Sequence, residues 1–386
     1  MKIVIAPDKF KGCLSAPQVC AAIAAGVRAA AASEGDAEID LCPLADGGEG
    51  TVTALVSASG GKLVSRRVTG PLAEMKVDAV FGILGDGKTA VIEMAAASGL
   101  ALLKPEDRNP MNTTTFGTGE LLLAAAEMGV EQVILGIGGS ATTDGGIGCA
   151  QACGLPIILD GGQPVSPTEP LTGRDLPSVL MVKHGRGSAV ERLRIRVACD
   201  VTNPLFGRDG AARVFGPQKG ASPEDVKMLD GALRGLAERT GKLDAARTPG
   251  AGAAGGLGFG MLAFFGAELR SGIDIVMEAI HFRDRLAGAD LCLTGEGKLD
   301  AQSGQGKVIS GVSRLCAERK IPCIALAGAI ADDFVPDHLQ GLTASFAIAD
   351  RPMSLEESSG RAAELLARAA EQIVRTFMAG RSAAHE

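Results

Sequence analysis

Short apolar runs bounded by glycine, proline and acidic residues recur along this chain, and longer alanine-rich stretches separate them. Val4-Ile5-Ala6 is a first buried strand, stopped at Pro7 and followed by the loop PDKFKGCLS. Ser15 with Gln18 three positions on forms a capping box, and high helix propensity carries the helix to Ala32. A strand over residues 39–43 then delivers the loop LADGGEG. Strand, helix and strand make a βαβ unit, whose right-handed crossover brings both loops to one edge of a sheet.

From about residue 62 the pattern changes: 76–84 and 89–94 are apolar runs separated by the tight turn GDGK, which predicts a hairpin. A helix over 117–128 ends at Gly129, and a strand over 132–135 follows. Beyond a polar Pro/Gly-rich stretch (160–188) come a strand over 194–199 that stops at Asp200 and a helix opened by Ser222-Pro223. The last third returns to plain alternation, with strands at 289–293, 322–327 and 344–348 and helices near 306–319 and beyond 355. The expected fold is α/β with two domains. One is a Rossmann-like or flavodoxin-like parallel-sheet domain built from both chain ends, 1–61 plus 273–386; the other is an inserted α/β domain, 62–272, with some antiparallel strands. Two chain crossings between domains imply a cleft and a hinge.

Composition narrows the partners. A net charge of −7 over 386 residues, without basic runs and without Trp or Tyr, argues against nucleic acid. The N-terminal MKIVIAPD is a strand rather than a leader, and no apolar run approaches the roughly 20 residues of a membrane helix. The nine cysteines form no C-x-x-C pair and sit mostly in apolar runs, which fits buried thiols in a reducing cytoplasm.

Two glycine-rich, acid-bearing stretches follow apolar runs: GIGGSATTDGG (136–146) after Val133-Ile134-Leu135, and GEGKLDAQSGQGK (295–307) after Leu291-Cys292-Leu293. Glycines let backbone N–H groups close around an anion, and nearby acids can carry a divalent cation. Carboxylates recur at the ends of expected strands: Asp8, Asp46 with Glu49, Asp144, Asp200, and Glu296 with Asp300. Gathered without histidine, such acids suit Mg²⁺ or proton transfer rather than zinc. His184, His281, His338 and His385 fall outside every glycine-rich loop. Lys9, Lys11, Lys219, Lys298 and Lys307 are placed where a transferred phosphoryl group needs cations.

Three nucleotide fingerprints need structural context. GILGDGKT (82–89) fits the Walker pattern, but the following AVIEM is β-branched and lies in a hairpin rather than a helix. GIGGSA (136–141) fits the dinucleotide pattern after a strand, with only Asp160 as the downstream acid. It leaves a nicotinamide-dependent oxidoreductase of a small hydroxy acid as the alternative reading. GAGAAGG (250–256) is either a close-packing loop or an anion nest at a helix start.

The motifs APDKFKGCLSA (6–16), PLADGGEGT (43–51), IEMAAASGL (92–100), GTGELLLAA (117–125), GIGGSATTDGG, VACDVTNPLFG (197–207), FGPQKGA (215–221), PGAGAAGGLG (249–258) and TGEGKLDAQSGQGK (294–307) run in order through the chain. In these the sequence resembles the bacterial D-glycerate kinase family of the type that forms 2-phosphoglycerate. The resemblance implies two α/β domains, ATP and D-glycerate in the cleft between them, and Mg²⁺-dependent phosphoryl transfer. Lys298 stands where many relatives have arginine. Oligomeric state is left open, a homodimer included.

On this reading Glu296 and Asp300 hold Mg²⁺, while Gly138, Gly139, Ser140, Gly295, Gly297, Lys298 and Lys307 surround the phosphates. Asp200 is the first choice for the base that takes the hydroxyl proton, and Asp46 the second. Lys9, Lys11, Asp46 and Lys219 are the expected glycerate contacts, with the lysines also available to the moving phosphate.

Overall fold

The computed structural model describes the chain except residues 33–36, 163–164, 184–187, 302, 304–306 and 386. It opens with β1 (Lys2–Ile5), the helix Ala16–Ala31 and β2 (Glu38–Leu41). Then come β3 (Lys62–Thr69), β4 (Lys76–Ile83), β5 (Thr89–Glu93), β6 (Gln132–Gly136), β7 (Ile157–Leu159), β8 (Val179–Val182), β9 (Arg194–Ala198) and β10 (Glu268–Arg270). The chain finishes with β11 (Leu291–Leu299), β12 (Cys323–Ile330) and β13 (Leu342–Ala347), and the long helix Ala362–His385. Two compact units result. One comprises Met1–Asp46, Thr53–Ser59 and Val276–Glu386; the other comprises Gly47–Val52 and Gly60–Ile275.

The first unit holds a five-stranded, all-parallel sheet in the order β13-β12-β11-β1-β2. Strand residues alternate between two buried faces. Ile3, Ile5, Leu291, Leu293, Ile324 and Leu326 pack under the helices Ala16–Ala31 and Ala362–His385, while Ala325, Ala327 and Leu299 face Ile309 of the helix Val308–Arg319. Strand order reverses between β1 and β11. At such a switch point the two loops diverge to opposite faces, leaving a crevice at the carboxyl ends of the strands. β1 leads to Asp8 there, and β11 carries Glu296.

The second unit holds a six-stranded sheet in the order β10-β9-β6-β5-β4-β3, parallel from β10 to β5 and antiparallel from β5 to β3. Its fold class is therefore mixed α/β, as the hairpin pattern implied. GILGDGKT is the β4–β5 turn, tied by Asp86 accepting from the Lys88 and Thr89 amides, so no Walker helix follows. The polar stretch around 160–188 hides β8, which pairs with β7 in a small ribbon. Its apolar residues Leu180 and Met181 are exposed, so no buried alternation marks it in the sequence.

GAGAAGG serves close packing in this unit. Gly255 has φ +66°, and a Cβ there would sit 1.9 Å from the Thr142 carbonyl oxygen and 2.6 Å from Thr143 Cα. Gly255→Ala combines a left-handed backbone with a backbone clash and is expected to cost at least about 3 kcal/mol. Chemical denaturation checks this; a loss under about 1 kcal/mol would mean that the loop yields easily.

Candidate active site

The parallel-sheet unit gathers carboxylates at its switch point. Past β1 the backbone keeps pairing with β11, through Ala6 N–H to the Leu293 carbonyl at 2.7 Å and Asp8 N–H to the Gly295 carbonyl at 2.8 Å. Asp8 accepts the Lys9 amide at 2.7 Å. Burial first, then the neighbouring Asp46 charge, lifts the Asp8 carboxyl to about 7, with a smaller push from Glu296. Glu296 is itself buried, at 8 % exposure. Burial raises it, Ser303 and Lys307 oppose that rise, and Asp300 and Asp46 add to it. Ser303 Oγ donates to Glu296 Oε1 and also accepts the Asp300 amide. Asp8, Asp46, Glu296 and Asp300 thus share one electrostatic neighbourhood, with Lys9 and Lys307 as its half-buried cations. Asp8 stood among the strand-end acids in the sequence but received no role there; its burial is what singles it out.

Part of the expected glycine loop is not a loop. Gly295, Glu296, Gly297 and Lys298 belong to β11, where Gly295 pairs with Leu326 and Glu296 with Ala327. The glycines are there because other backbone comes close. A Cβ on Gly295 would lie 2.3 Å from the Leu326 carbonyl oxygen, and one on Gly297 would lie 3.3 Å from the Lys11 nitrogen. Lys298 is exposed and 3.8 Å from Asp300, and Lys11 is exposed as well. Lys307 caps the start of the helix Val308–Arg319. Residues 302 and 304–306 of this motif lie outside the described residues.

In the mixed-sheet unit the segment Gly47–Val52 crosses the carboxyl ends of the central strands. A Cβ on Gly47 would lie 2.5 Å from Ala198 Cβ at the end of β9, and one on Gly136 at the end of β6 would lie 2.4 Å from the Gly47 carbonyl oxygen. Glu93, the last residue of β5, accepts the Val52 amide at 2.8 Å. Beside this segment Gly138 and Gly139 form an exposed turn after β6, and Ser140 closes it with 8 % exposure.

The cation of this turn is Lys219, which is only 2 % exposed. Its Nζ donates to Ser140 Oγ at 2.8 Å and to the Thr142 carbonyl at 2.6 Å. Burial lowers the ammonium to about 7, and the negative Asp144 works against that fall. Thr142 Oγ1 and Thr143 Oγ1 are buried without a hydrogen-bond partner among the described residues, so the loop holds unspent polar capacity. Asp144, a candidate cation ligand by sequence, is fully buried and accepts from Thr115 N–H and Oγ1, both at 2.7 Å, and from the Gly146 and Gly148 amides. It pins the loop instead.

Asp200 is exposed at the exit of β9 and belongs to this second unit, whereas Asp46, Glu296 and Asp300 belong to the first. Its Oδ1 accepts the Gly272 amide at 2.9 Å, opening the helix Gly272–Ala279. Asp160 sits in the loop after β7, its amide bonded to the Ser178 carbonyl, and not at the end of a strand beside β6 where a dinucleotide acid belongs. His281 is exposed; His184 lies outside the described residues. Among the described residues no helix is long and apolar enough to cross a membrane.

Carboxylates at a parallel-sheet switch point, glycine turns at strand ends and a lysine buried against one of those turns define an α/β enzyme of the phosphate-handling class. The model of the glycerate kinase family matches residues 3–378. A glycerate kinase of Haemophilus influenzae is 45% identical over 383 residues, covering 98% of this chain and 99% of that protein. A glycerate 2-kinase of Escherichia coli K12 is 45% identical over 384 residues, with 98% and 99% covered. The crystal structure of a Salmonella typhimurium LT2 protein assigned as a glycerate kinase 2 superposes with a TM-score of 0.88 at 43% identity, covering 99% of each chain. The chain belongs to the glycerate kinase family and is a kinase, so the nicotinamide alternative falls away.

Proposed function

We propose that this kinase transfers the γ-phosphoryl group of ATP to the 2-hydroxyl of D-glycerate, giving 2-phosphoglycerate and ADP with Mg²⁺ as cofactor. The observation that carries the reading is the carboxylate group at the switch point, where Asp46 and Glu296 raise the buried Asp8 carboxyl and Asp300 and Asp46 raise the buried Glu296. Like charges held together in a low-dielectric place cost free energy unless a cation or a proton serves them. The donor set is all oxygen, which fits a hard divalent ion. Glu296, with Asp300 and Asp46, would hold Mg²⁺, which when bound neutralises charge across the phosphates.

The chain's own residues supply the rest. The exposed Gly138–Gly139 turn offers backbone N–H groups to a phosphate, Ser140 closes it, and Lys219 braces it from behind. Lys307 and Lys9 are the cations for phosphate and glycerate carboxylate beside Glu296 and Asp8. Lys298 and Lys11, both exposed, serve the same anions from outside. A carboxylate takes the hydroxyl proton as transfer completes. Asp200 is retained for that role, and Asp8 is its structural rival.

Asp200→Asn keeps the oxygen that accepts the Gly272 amide while removing basicity. It is expected to lower kcat by about 10²–10⁴-fold with little change in KM for ATP. Full turnover in that variant would move the proton to Asp8. Phosphorus NMR of the product from D-glycerate and ATP tests the reaction itself: a 2-phosphoglycerate resonance is expected, and 3-phosphoglycerate or unreacted ATP would overturn the assignment.

A further inference from the structure

Cys292 in β11 and Cys323 in β12 are register partners on adjacent parallel strands, so their side chains leave the same face of the sheet. Cys316 reaches them from the helix Val308–Arg319, near the left-handed Lys320 that ends it. The three Sγ atoms all lie within 4.8 Å of one another, and all three residues have no exposure. Hydrogen bonding to Cys316 and Cys323, then burial, holds the Cys292 thiol well above its ordinary range. What shifts Cys316 and Cys323 is again the other thiols and burial; among the described residues neither a cation nor a carboxylate enters.

A buried cysteine alone behaves as a small hydrophobe. Three sulfurs converging on one point are a different object, because thiolates select soft ions. Metal–sulfur bonds of about 2.3 Å set three sulfurs about 4 Å apart or slightly less, so the cluster needs to contract by about 1 Å at most. Charge then chooses the ion. A divalent ion on three thiolates leaves a net negative charge in an apolar interior, where an unpaired ion is costly. A trivalent ion on three thiolates leaves none.

We propose that Cys292, Cys316 and Cys323 form a binding site for a trivalent thiophilic metalloid, with arsenic(III) as the simplest occupant. The exchange balances without redox change: As(OH)₃ and three thiols give As(S-Cys)₃ and three waters. Three As–O and three S–H bonds break while three As–S and three O–H bonds form. Arsenous acid is neutral and so is As(S-Cys)₃, so the bound state leaves no net charge in the apolar interior, and the proton that the other two thiols draw away from Cys316 is released as water in the exchange. Entry follows opening of the last turn of the helix Val308–Arg319, since helix ends are the low-stability parts of a fold.

The test titrates arsenite into the folded full-length protein, following As–S absorption in the near ultraviolet and counting free thiols. One arsenic per chain and three thiols protected are expected, together with a rise in Tm, because binding to the native state stabilises it. A Cys13→Ser/Cys199→Ser variant, which removes the two half-exposed thiols, is expected to retain that stoichiometry. Cys316→Ala is expected to weaken binding at least about tenfold. If Cys316→Ala does not fold, the Tm of the unaltered protein still decides: a fall means that arsenite binds the unfolded chain and overturns the site. Unweakened binding in folded Cys316→Ala, or one cadmium per chain with arsenite excluded, overturns it equally.

Discussion

Glu296→Gln is expected to lower kcat by at least about 10²–10³-fold while leaving the fold intact or slightly more stable. The glutamine keeps an oxygen that can accept from Ser303 Oγ, so the local geometry has no reason to change. What disappears is one negative charge from a group in which Asp46 and Asp300 already push the Glu296 carboxyl upward and Glu296 in turn pushes Asp8. In the resting protein that charge is a cost, because burial and like neighbours both disfavour it. On the proposed reading it would hold Mg²⁺ in the working enzyme. The two roles separate by measurement: steady-state kinetics across a Mg²⁺ titration, and thermal unfolding without Mg²⁺. Activity lost with Tm unchanged or raised fits a carboxylate kept for chemistry. Activity retained with Tm lowered would make Glu296 a structural residue and remove the reading of the whole group.

The central strands of the parallel sheet, β1, β11 and β12, were legible because each opens as a short apolar run buried on both faces. The extent of β11 was not. Gly295 and Gly297 look like loop residues, yet they are strand positions where neighbouring backbone comes too close for a side chain. Glycine content alone cannot distinguish a chain that turns from a chain that is crowded. The same ambiguity hid the affinity of Gly47–Val52 for the second unit, which depends on the fit of Gly47 against Ala198 and on the bond from Val52 to Glu93.

Site chemistry divided in a similar way. Carboxylates at strand ends were visible as a recurring pattern, and among them Asp300 and Asp46 lie near enough to Glu296 to raise its carboxyl. Which acids titrate abnormally was invisible, since desolvation belongs to the fold and not to the residue. Asp8 and Asp144 were indistinguishable as letters. One is poised near neutrality, and the other is spent on four hydrogen bonds.

Lys219→Met is expected to abolish a proton uptake that accompanies nucleotide binding. The Lys219 ammonium titrates near 7 because it is buried, and its Nζ lies 2.8 Å from Ser140 Oγ on the turn assigned to phosphate. An anion arriving there favours the charged amine, so binding at pH 7–8 draws a proton from solution. Calorimetry in buffers of differing ionisation enthalpy reads that uptake; equal uptake in wild type and Lys219→Met would detach the lysine from the phosphate. The free protein supplies an independent sign. Unfolded, the lysine titrates near 10.5; folded, near 7. Between those values the unfolded chain holds the extra proton, so stability rises with pH by up to about 1.4 kcal/mol per unit, and below about 7 the cost of burying the ammonium is present in full. Lys219→Met removes that slope. It also strips Ser140 Oγ and the Thr142 carbonyl of their donor, at about 1–3 kcal/mol, beside two threonine hydroxyls already without partners. Near pH 7 the two effects oppose each other. From pH 7 to pH 9 wild type is therefore expected to gain about 2 kcal/mol relative to Lys219→Met, and denaturant midpoints at the two pH values that fail to diverge would place the lysine in water.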